Sequence, residues 1–484
     1  MSEERPNILL LMCDQLRADS LAYAGHPLVQ TPNIDRLAAS GVQFTRAYTE
    51  SPVCVPARIN ALTGLHSWQV GISDNGPSPD HTVPTLGTLL TEQGYFTQAI
   101  GKMHFRPARN HRGFQRMWLS EEIPTYRADD EFLQYLQDQG YGHVKEPHGQ
   151  RHELYYQPQV SVLPEEHHTT AWTADRTVDF IAQNRNRPFF CFTSFIKPHP
   201  PWDPPRPYAS MYDPAAMPLP ARHPSDREPA DTHLLVQNHG KGVDNPDDDL
   251  VRLIRARYYG LISHIDRNVG KIIAALEEHG LAERTLIVFI SDHGELLGDH
   301  YAWGKRSFYE GSARVPFLVS WPGHLPAGET CGHLVSGCNL LPTFLTAAGA
   351  ADAVPSNVTS QDLLHLCEDT ATTGREVLIG QFASGRQMKL MLRWDDWKYC
   401  YFANGGRQQL FNLRDDPHEL TDQAGNHSEL CTDAGDRLVQ HFREGGNSGA
   451  LDDSGDELLA YPFERLPLGQ INRQHALWPD HEPV

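Results

Sequence analysis

The sequence predicts an α/β protein with a large, mostly parallel sheet sandwiched by helices, followed by a smaller C-terminal α+β domain built on an antiparallel sheet. Three observations carry this reading. Near-continuous apolar runs of strand length alternate with amphipathic helical stretches, the pattern of a sheet covered on both faces. Several runs end abruptly in polar residues, at the strand ends where open α/β sheets bind their ligands. Beyond Gly374 the texture changes to short runs at hairpin spacing, so the expected division is residues 1–370 for the α/β unit and 371–484 for the smaller domain with a docking tail.

The first run, Asn7 to Met12, is almost wholly apolar and stops at Cys13-Asp14-Gln15. Thr31-Pro32-Asn33 then opens a helix through Ala39 that ends at Gly41, because proline suits a first helical turn and glycine the exit. Val42 to Tyr48 reads as the next strand, Thr85 to Gln93 as a helix closed by Gly94, and Tyr95 to Ile100 as a strand. An amphipathic helix from Thr173 to Asn184 precedes a buried strand from Pro188 to Ile196. The longest helical pattern, about Asp248 to Glu278, leads into Thr285 to Ile290, and that strand ends at Ser291-Asp292-His293. Residues 106–168 and 198–249 lack clear periodicity and read as long loops over the sheet, which are usually functional. The C-terminal strands are expected at Glu376 to Phe382, Gln387 to Trp394, Trp397 to Phe402 and Gln409 to Leu413, before a helix from Ser428 to Glu444. The stretch from Asp452 to Val484, with Tyr461, Phe463 and Trp478, is too apolar for a free tail and is expected to dock on its own subunit or on a neighbour in a homo-oligomer.

Composition narrows the function. With 39% hydrophobic residues the chain can build extensive cores, which excludes disorder as its main state. A net charge of −20 without Lys/Arg blocks argues against nucleic acid or an anionic membrane as the principal partner, so an anionic small molecule would need a locally positive pocket. No stretch approaches about 18 apolar residues, and the start, Met-Ser-Glu-Glu-Arg-Pro, is not a secretory signal; the expected location is the cytoplasm. Eight cysteines without a Cys-x-x-Cys pair fit neither a disulfide framework nor a structural zinc site.

The most informative segment is Cys54-Val55-Pro56-Ala57-Arg58, continuing to Thr63-Gly64. A second is Gly94-Tyr95, followed by Gly101-Lys102-Met103-His104. Further along stand Lys197-Pro198-His199-Pro200-Pro201, then Phe289 to Gly294 with Gly304-Lys305, and finally Gln409 to Pro417. In this order the segments resemble the formylglycine-dependent sulfatases of the alkaline-phosphatase-like superfamily over roughly residues 5 to 425. The family's usual Ser at the fourth place of the first motif is here Ala57.

That resemblance implies an alkaline-phosphatase-like fold and a sulfatase that cleaves small-molecule sulfate esters, either a sulfated sugar or an aryl or alkyl sulfate. It also implies a formylglycine derived from Cys54 by a formylglycine-generating maturation enzyme, together with a divalent metal held by Asp14, Gln15, Cys54, Asp292 and His293. An oxygen-rich set with one imidazole suits Ca²⁺ first, with Mn²⁺ within reach. The family pattern has a second acid where this chain has Gln15, and Asn where it has His293. By the same resemblance Arg58 pins the nucleophile, Lys102 and Lys305 clamp sulfate oxygens, His104 and His199 support the nucleophile and protonate the leaving oxygen, and Asn75 donates to the substrate. Cys191 and Cys400 read as inert small hydrophobes. Two alternatives stand beside this one. Asp14-Gln15, Asn75 and the Pro-His-Pro-Pro segment also resemble phosphonate monoester hydrolases, and a chain with Cys54 unconverted would be an inactive sulfate- or sugar-binding homologue.

Overall fold

The computed structural model describes residues 5–76, 80–151 and 154–468. Eight strands form the main sheet: β1 (Asn7–Asp14), β2 (Val42–Tyr48), β3 (Phe96–Gly101), β4 (Arg116–Leu119), β5 (Phe189–Pro198), β6 (Thr285–Ser291), β7 (Phe317–Ser320) and β8 (Glu329–Ser336). Their order is β4-β3-β5-β1-β6-β7-β2-β8, and every pair is parallel except those made by β7 with β6 and β2. The sheet is thus mostly parallel, as the unbroken apolar runs require.

Why β1 is apolar from Ile8 to Cys13 follows from its two faces. Leu9, Leu11 and Cys13 pack into one cluster with Ile254, Leu261 and Ile265 of the long helix Asp248–Glu278. Ile8, Leu10 and Met12 point the other way and pack with Leu62, Leu341 and Phe344. Both layers are helical, so neither face tolerates polar residues.

A second sheet, β9 (Val377–Phe382), β10 (Lys389–Trp394), β11 (Trp397–Phe402) and β12 (Arg407–Asn412), is antiparallel in the order β12-β11-β10-β9. The helix Ser428–Gly445 covers it through Cys431, Ala434, Leu438, Val439 and Phe442. Tyr48, Val53 and Phe308 of the first part meet Leu378, Phe382, Met391, Cys400 and Phe402 of the second in one apolar seam. Of the tail, Tyr461 donates its N–H to the Ala403 carbonyl at 2.8 Å and accepts from Gly405 N at 2.8 Å. Phe463 is half exposed, and Trp478 lies outside the described residues.

The two expected loops are more ordered than their composition suggests. Residues 106–168 contain β4 and the helix Glu131–Asp138, whose N-cap Asp130 accepts from Leu133 N; residues 198–249 contain the helix His233–Gly240. Among the described residues no helix is long and apolar enough to cross a membrane.

Candidate active site

Four neighbouring strands, β3, β5, β1 and β6, bring their carboxyl ends to one crevice. Cys13 pairs with Ser291, so Asp14-Gln15 and Asp292-His293 leave the sheet side by side. Asp14 also lies opposite Pro198, which sets His199 on the next strand over. Gly101 ends β3 with φ +94°, and a Cβ there would lie 2.0 Å from the Ser194 carbonyl oxygen; only glycine lets the chain turn here and deliver Lys102.

Cys54 reaches the crevice on the helix Cys54–Thr63, which starts directly after the extended Val53. Pro56 is harmless in its first turn, where N–H groups have no helical partner. Arg58 lies one turn later on the same face as Cys54. Gly64 closes the helix with φ +68°. Asn75 caps the opening turn: its Oδ1 accepts from Val55 N at 3.0 Å.

The Cys54 sulfur is buried, 3.3 Å from His293 Nε2, 3.0 Å from Lys305 Nζ and 3.9 Å from Asp14 Oδ1. Arg58 donates to Asp292 Oδ2 at 2.9 Å and to Asp14 Oδ2 at 3.4 Å, and its remaining nitrogen holds the Lys102 carbonyl and Ser194 Oγ. Its guanidinium therefore orders the carboxylates and the backbone; no hydrogen bond joins it to Cys54. Lys102 Nζ pairs with Asp14 Oδ2 and, at 2.7 Å, with Glu122 Oε2. Gln15 Oε1 accepts from Lys305 Nζ at 2.7 Å, while its amide nitrogen donates to Glu295 and to Tyr156.

Four cations, Arg58, Lys102, Lys305 and Arg151, stand against the three carboxylates of Asp14, Asp292 and Glu122. Burial and Asp14 push the Cys54 thiol up, yet Lys305, Lys102 and His293 outweigh them and hold it well below its ordinary value. Burial opposes charge on Asp14 too, and Lys102, Lys305, His199 and Arg58 keep it ionised far below the usual carboxylate range. Burial and the neighbouring Asp14 raise Asp292. The locally positive pocket demanded by a −20 chain is present.

The ligand atoms of Asp14, Cys54, Asp292 and His293 all lie within 4.8 Å of one another. His293 Nδ1 sits 3.0 Å from the Gly294 carbonyl, which assigns the proton to Nδ1 and leaves the Nε2 lone pair facing the two carboxylates at 3.5 and 3.6 Å. A carbonyl-locked imidazole beside two carboxylates and an amide oxygen is a donor set for a divalent cation.

His199 joins the crevice from the far side, with Nε2 3.5 Å from both Glu122 Oε2 and Tyr155 OH. No hydrogen bond or ion pair joins the His104 ring to these described crevice residues. Its backbone turns at φ +58°, its N–H is taken by Glu121, and its ring Nδ1 is buried without a partner. The sequence reading missed Glu122, Arg151 and Tyr155; the adjacent acids Glu121-Glu122 at the end of an apolar run are the signal that could have found them.

A profile of the sulfatase family matches residues 6–350. The chain belongs to the sulfatase family. A second profile, that of the N-sulphoglucosamine sulphohydrolase C-terminal region, matches residues 298–443. An arylsulfatase of Clostridium perfringens (strain 13 / Type A) is 31% identical, across 96% of this chain and 99% of its own length. A choline-sulfatase of Rhizobium meliloti (strain 1021) is 29% identical, across 88% and 84%. Among solved structures, the phosphonate monoester hydrolase of Agrobacterium radiobacter superposes with a TM-score of 0.80 at 26% identity, covering 91% of this chain and 96% of that one. This sulfatase is accordingly an enzyme, a sulfuric ester hydrolase on the alkaline-phosphatase-like fold.

Proposed function

We propose that this sulfatase cleaves small sulfate monoesters, a sulfated sugar or an aryl or alkyl sulfate, using position 54 as nucleophile and a divalent metal. The observation that supports it most is the placement of Cys54 Sγ within 3.3 Å of both Lys305 and His293, above the Asp14 and Asp292 carboxylates. Asp14, Asp292 and His293, with Gln15 Oε1 beside them, would hold the metal, Ca²⁺ before Mn²⁺. Bound there, the ion supplies Lewis-acid stabilisation of a sulfate oxygen and acidifies the attacking hydroxyl. Formylglycine at position 54 supplies a hydrated carbonyl, whose second hydroxyl lets sulfate depart where a serine would remain esterified. The chain's own residues do the rest. Lys102 and Lys305 neutralise the sulfuryl oxygens, Arg58 keeps the carboxylates in register, and His199 faces the side from which the alcohol leaves. The amide NH₂ of Asn75 has no partner among the described residues and is free to donate to a ligand.

Purified protein produced with a maturation enzyme should turn over 4-nitrophenyl sulfate and lose that activity to a chelator, and intact mass should report conversion of the thiol. A protein whose mass shows unconverted Cys54 and which binds sulfate without turnover would be the inactive binder. The second reading, a phosphonate ester hydrolase, draws on the likeness to the Agrobacterium radiobacter enzyme. Phenyl phosphonate turned over much faster than the aryl sulfate would reverse the order.

A further inference from the structure

Glu122 is an acid in a crevice that has to admit an anion. It lies just past β4, its side chain is 11% exposed, and each oxygen is committed to protein groups. Oε2 accepts from Lys102 Nζ at 2.7 Å and stands 3.5 Å from His199 Nε2. Oε1 accepts from Arg151 at 2.6 Å and from Tyr155 OH at 3.4 Å. Arg151 is itself buried and lies over the Tyr155 ring at 4.9 Å. A carboxylate held by two full cations is anchored in place and lacks free lone pairs for a ligand, so substrate binding is not its task.

His199 is held from its other edge. Nδ1 lies 2.6 Å from the Pro200 carbonyl, so that nitrogen carries a proton in either charge state and Nε2 alone can gain or lose one. Two groups face Nε2 within 3.5 Å, the Glu122 carboxylate and the Tyr155 hydroxyl. We propose that Glu122 is a positioning residue which, fixed by Lys102, Arg151 and Tyr155, holds His199 as the proton donor to the departing alcohol. The proposal rests on the sulfate-ester reading above. When the ester S–O bond breaks, its electron pair leaves with the alcohol oxygen, the sulfuryl group passes to the nucleophile, and the Nε2 proton of His199 goes to that oxygen. Water then restores the proton.

The surrounding charges make Glu122 the chief support of that proton against a net pull toward the neutral ring. Burial pushes the imidazolium down, Glu122 raises it, Lys305 lowers it, Asp14 raises it and Lys102 lowers it, with a net value well below the ordinary one. Glu122 is the largest influence in favour of the proton, and it is the side chain whose neutralisation would leave His199 facing mainly cations. A carboxylate that recruits its proton donor in this way matters most for poor leaving groups, because an aryl oxide departs without help and an alkoxide does not.

The test compares Glu122→Gln with the parent on an alkyl sulfate and on 4-nitrophenyl sulfate. The loss in kcat/KM on the alkyl ester should exceed that on the aryl ester by at least about tenfold, the lower part of the range for general acid catalysis. The falling alkaline limb of the alkyl profile should also move to lower pH. In a His199→Gln background the Glu122→Gln change should cost nearly nothing more, since both act through one proton. Equal losses on both esters, or full additivity with His199→Gln, would show Glu122 to be merely structural. Histidine NMR titration needs no turnover: the His199 resonance should titrate at lower pH in Glu122→Gln, and an unmoved titration overturns the proposal even if the natural substrate is a phosphonate. Should Glu122→Gln fail to fold, Glu122→Asp, which keeps the charge and withdraws it from Nε2, takes both arms with the same expected directions.

Discussion

In the seam between the two sheets, Lys398 gives its three N–H groups to the Phe308 carbonyl at 2.7 Å, to Glu310 at 2.8 Å and to Glu419. Glu310 in turn accepts from Tyr48 OH, and its backbone N–H is held by Glu419. In the crevice around Cys54, by contrast, Lys305 reaches one amide oxygen and one sulfur, and four cations, Arg58, Lys102, Lys305 and Arg151, face three carboxylates, Asp14, Asp292 and Glu122. Both clusters are buried and use the same residue types. One is closed, with two acids saturating one base, and the other keeps positive charge in excess for an anion that is still to arrive. The difference separates charge that holds the fold together from charge held in reserve for chemistry.

The sharpest way to break this contrast is Cys54→Ala, which should reduce sulfate-ester turnover to the background rate while the melting temperature stays within a few degrees, since one buried sulfur is lost and Lys305 keeps Gln15 Oε1 and Asp14 beside it. A collapse in stability would mean that the crevice is structural after all. Lys398→Met should do the reverse: with Glu310 and Glu419 left uncompensated, unfolding free energy should fall by about 3–5 kcal/mol, measured in urea, with kcat per folded molecule unchanged. Lys305→Ala should lower kcat by about 10²–10³-fold, as removal of one preorganised charge does elsewhere, with little change in the urea midpoint. A large stability loss there, or none at Lys398, would erase the distinction.

The last effect concerns pH. His264, in the helix Asp248–Glu278, has both ring nitrogens buried without partners and is pulled down to about 3 by burial, with Lys271 and Arg267 acting the same way. The unfolded ring binds a proton below its ordinary 6.5 and the folded ring does not until about 3, so its contribution is whole above pH 6.5 and is lost as pH falls through that window. His264→Phe should therefore flatten the dependence of melting temperature on pH between 6.5 and 3. An unchanged slope would place the acid sensitivity elsewhere.

How much of this was readable in the chain depended on how regular each stretch was. The apolar runs of β1, β5 and β6 could be found because both faces of the sheet are covered, and the helix Asp248–Glu278 because its buried face repeats without interruption. β4 escaped because four residues beginning with an exposed Arg116, at the sheet edge, carry no period. With β4 went Glu122, which is placed by the end of that strand. The crevice residues Cys54, Asp14, Lys102, Asp292, His293 and Lys305 were legible through spacing to Pro, Gly or a strand end, features with a local backbone reason. At His104 the neighbours fix the spacing, while the left-handed turn and the grip of Glu121 on its amide arise only in three dimensions.

The helix Cys54–Thr63 is inaccessible along its whole length, Pro56 and Arg58 included. Any enzyme that has to grasp that segment to alter its sulfur can do so only while the polypeptide is still extended. Were position 54 converted as proposed, maturation would be a race against collapse of the nascent chain, and expression rate, temperature and the supply of the modifying partner would weigh on specific activity alongside the residues of the crevice.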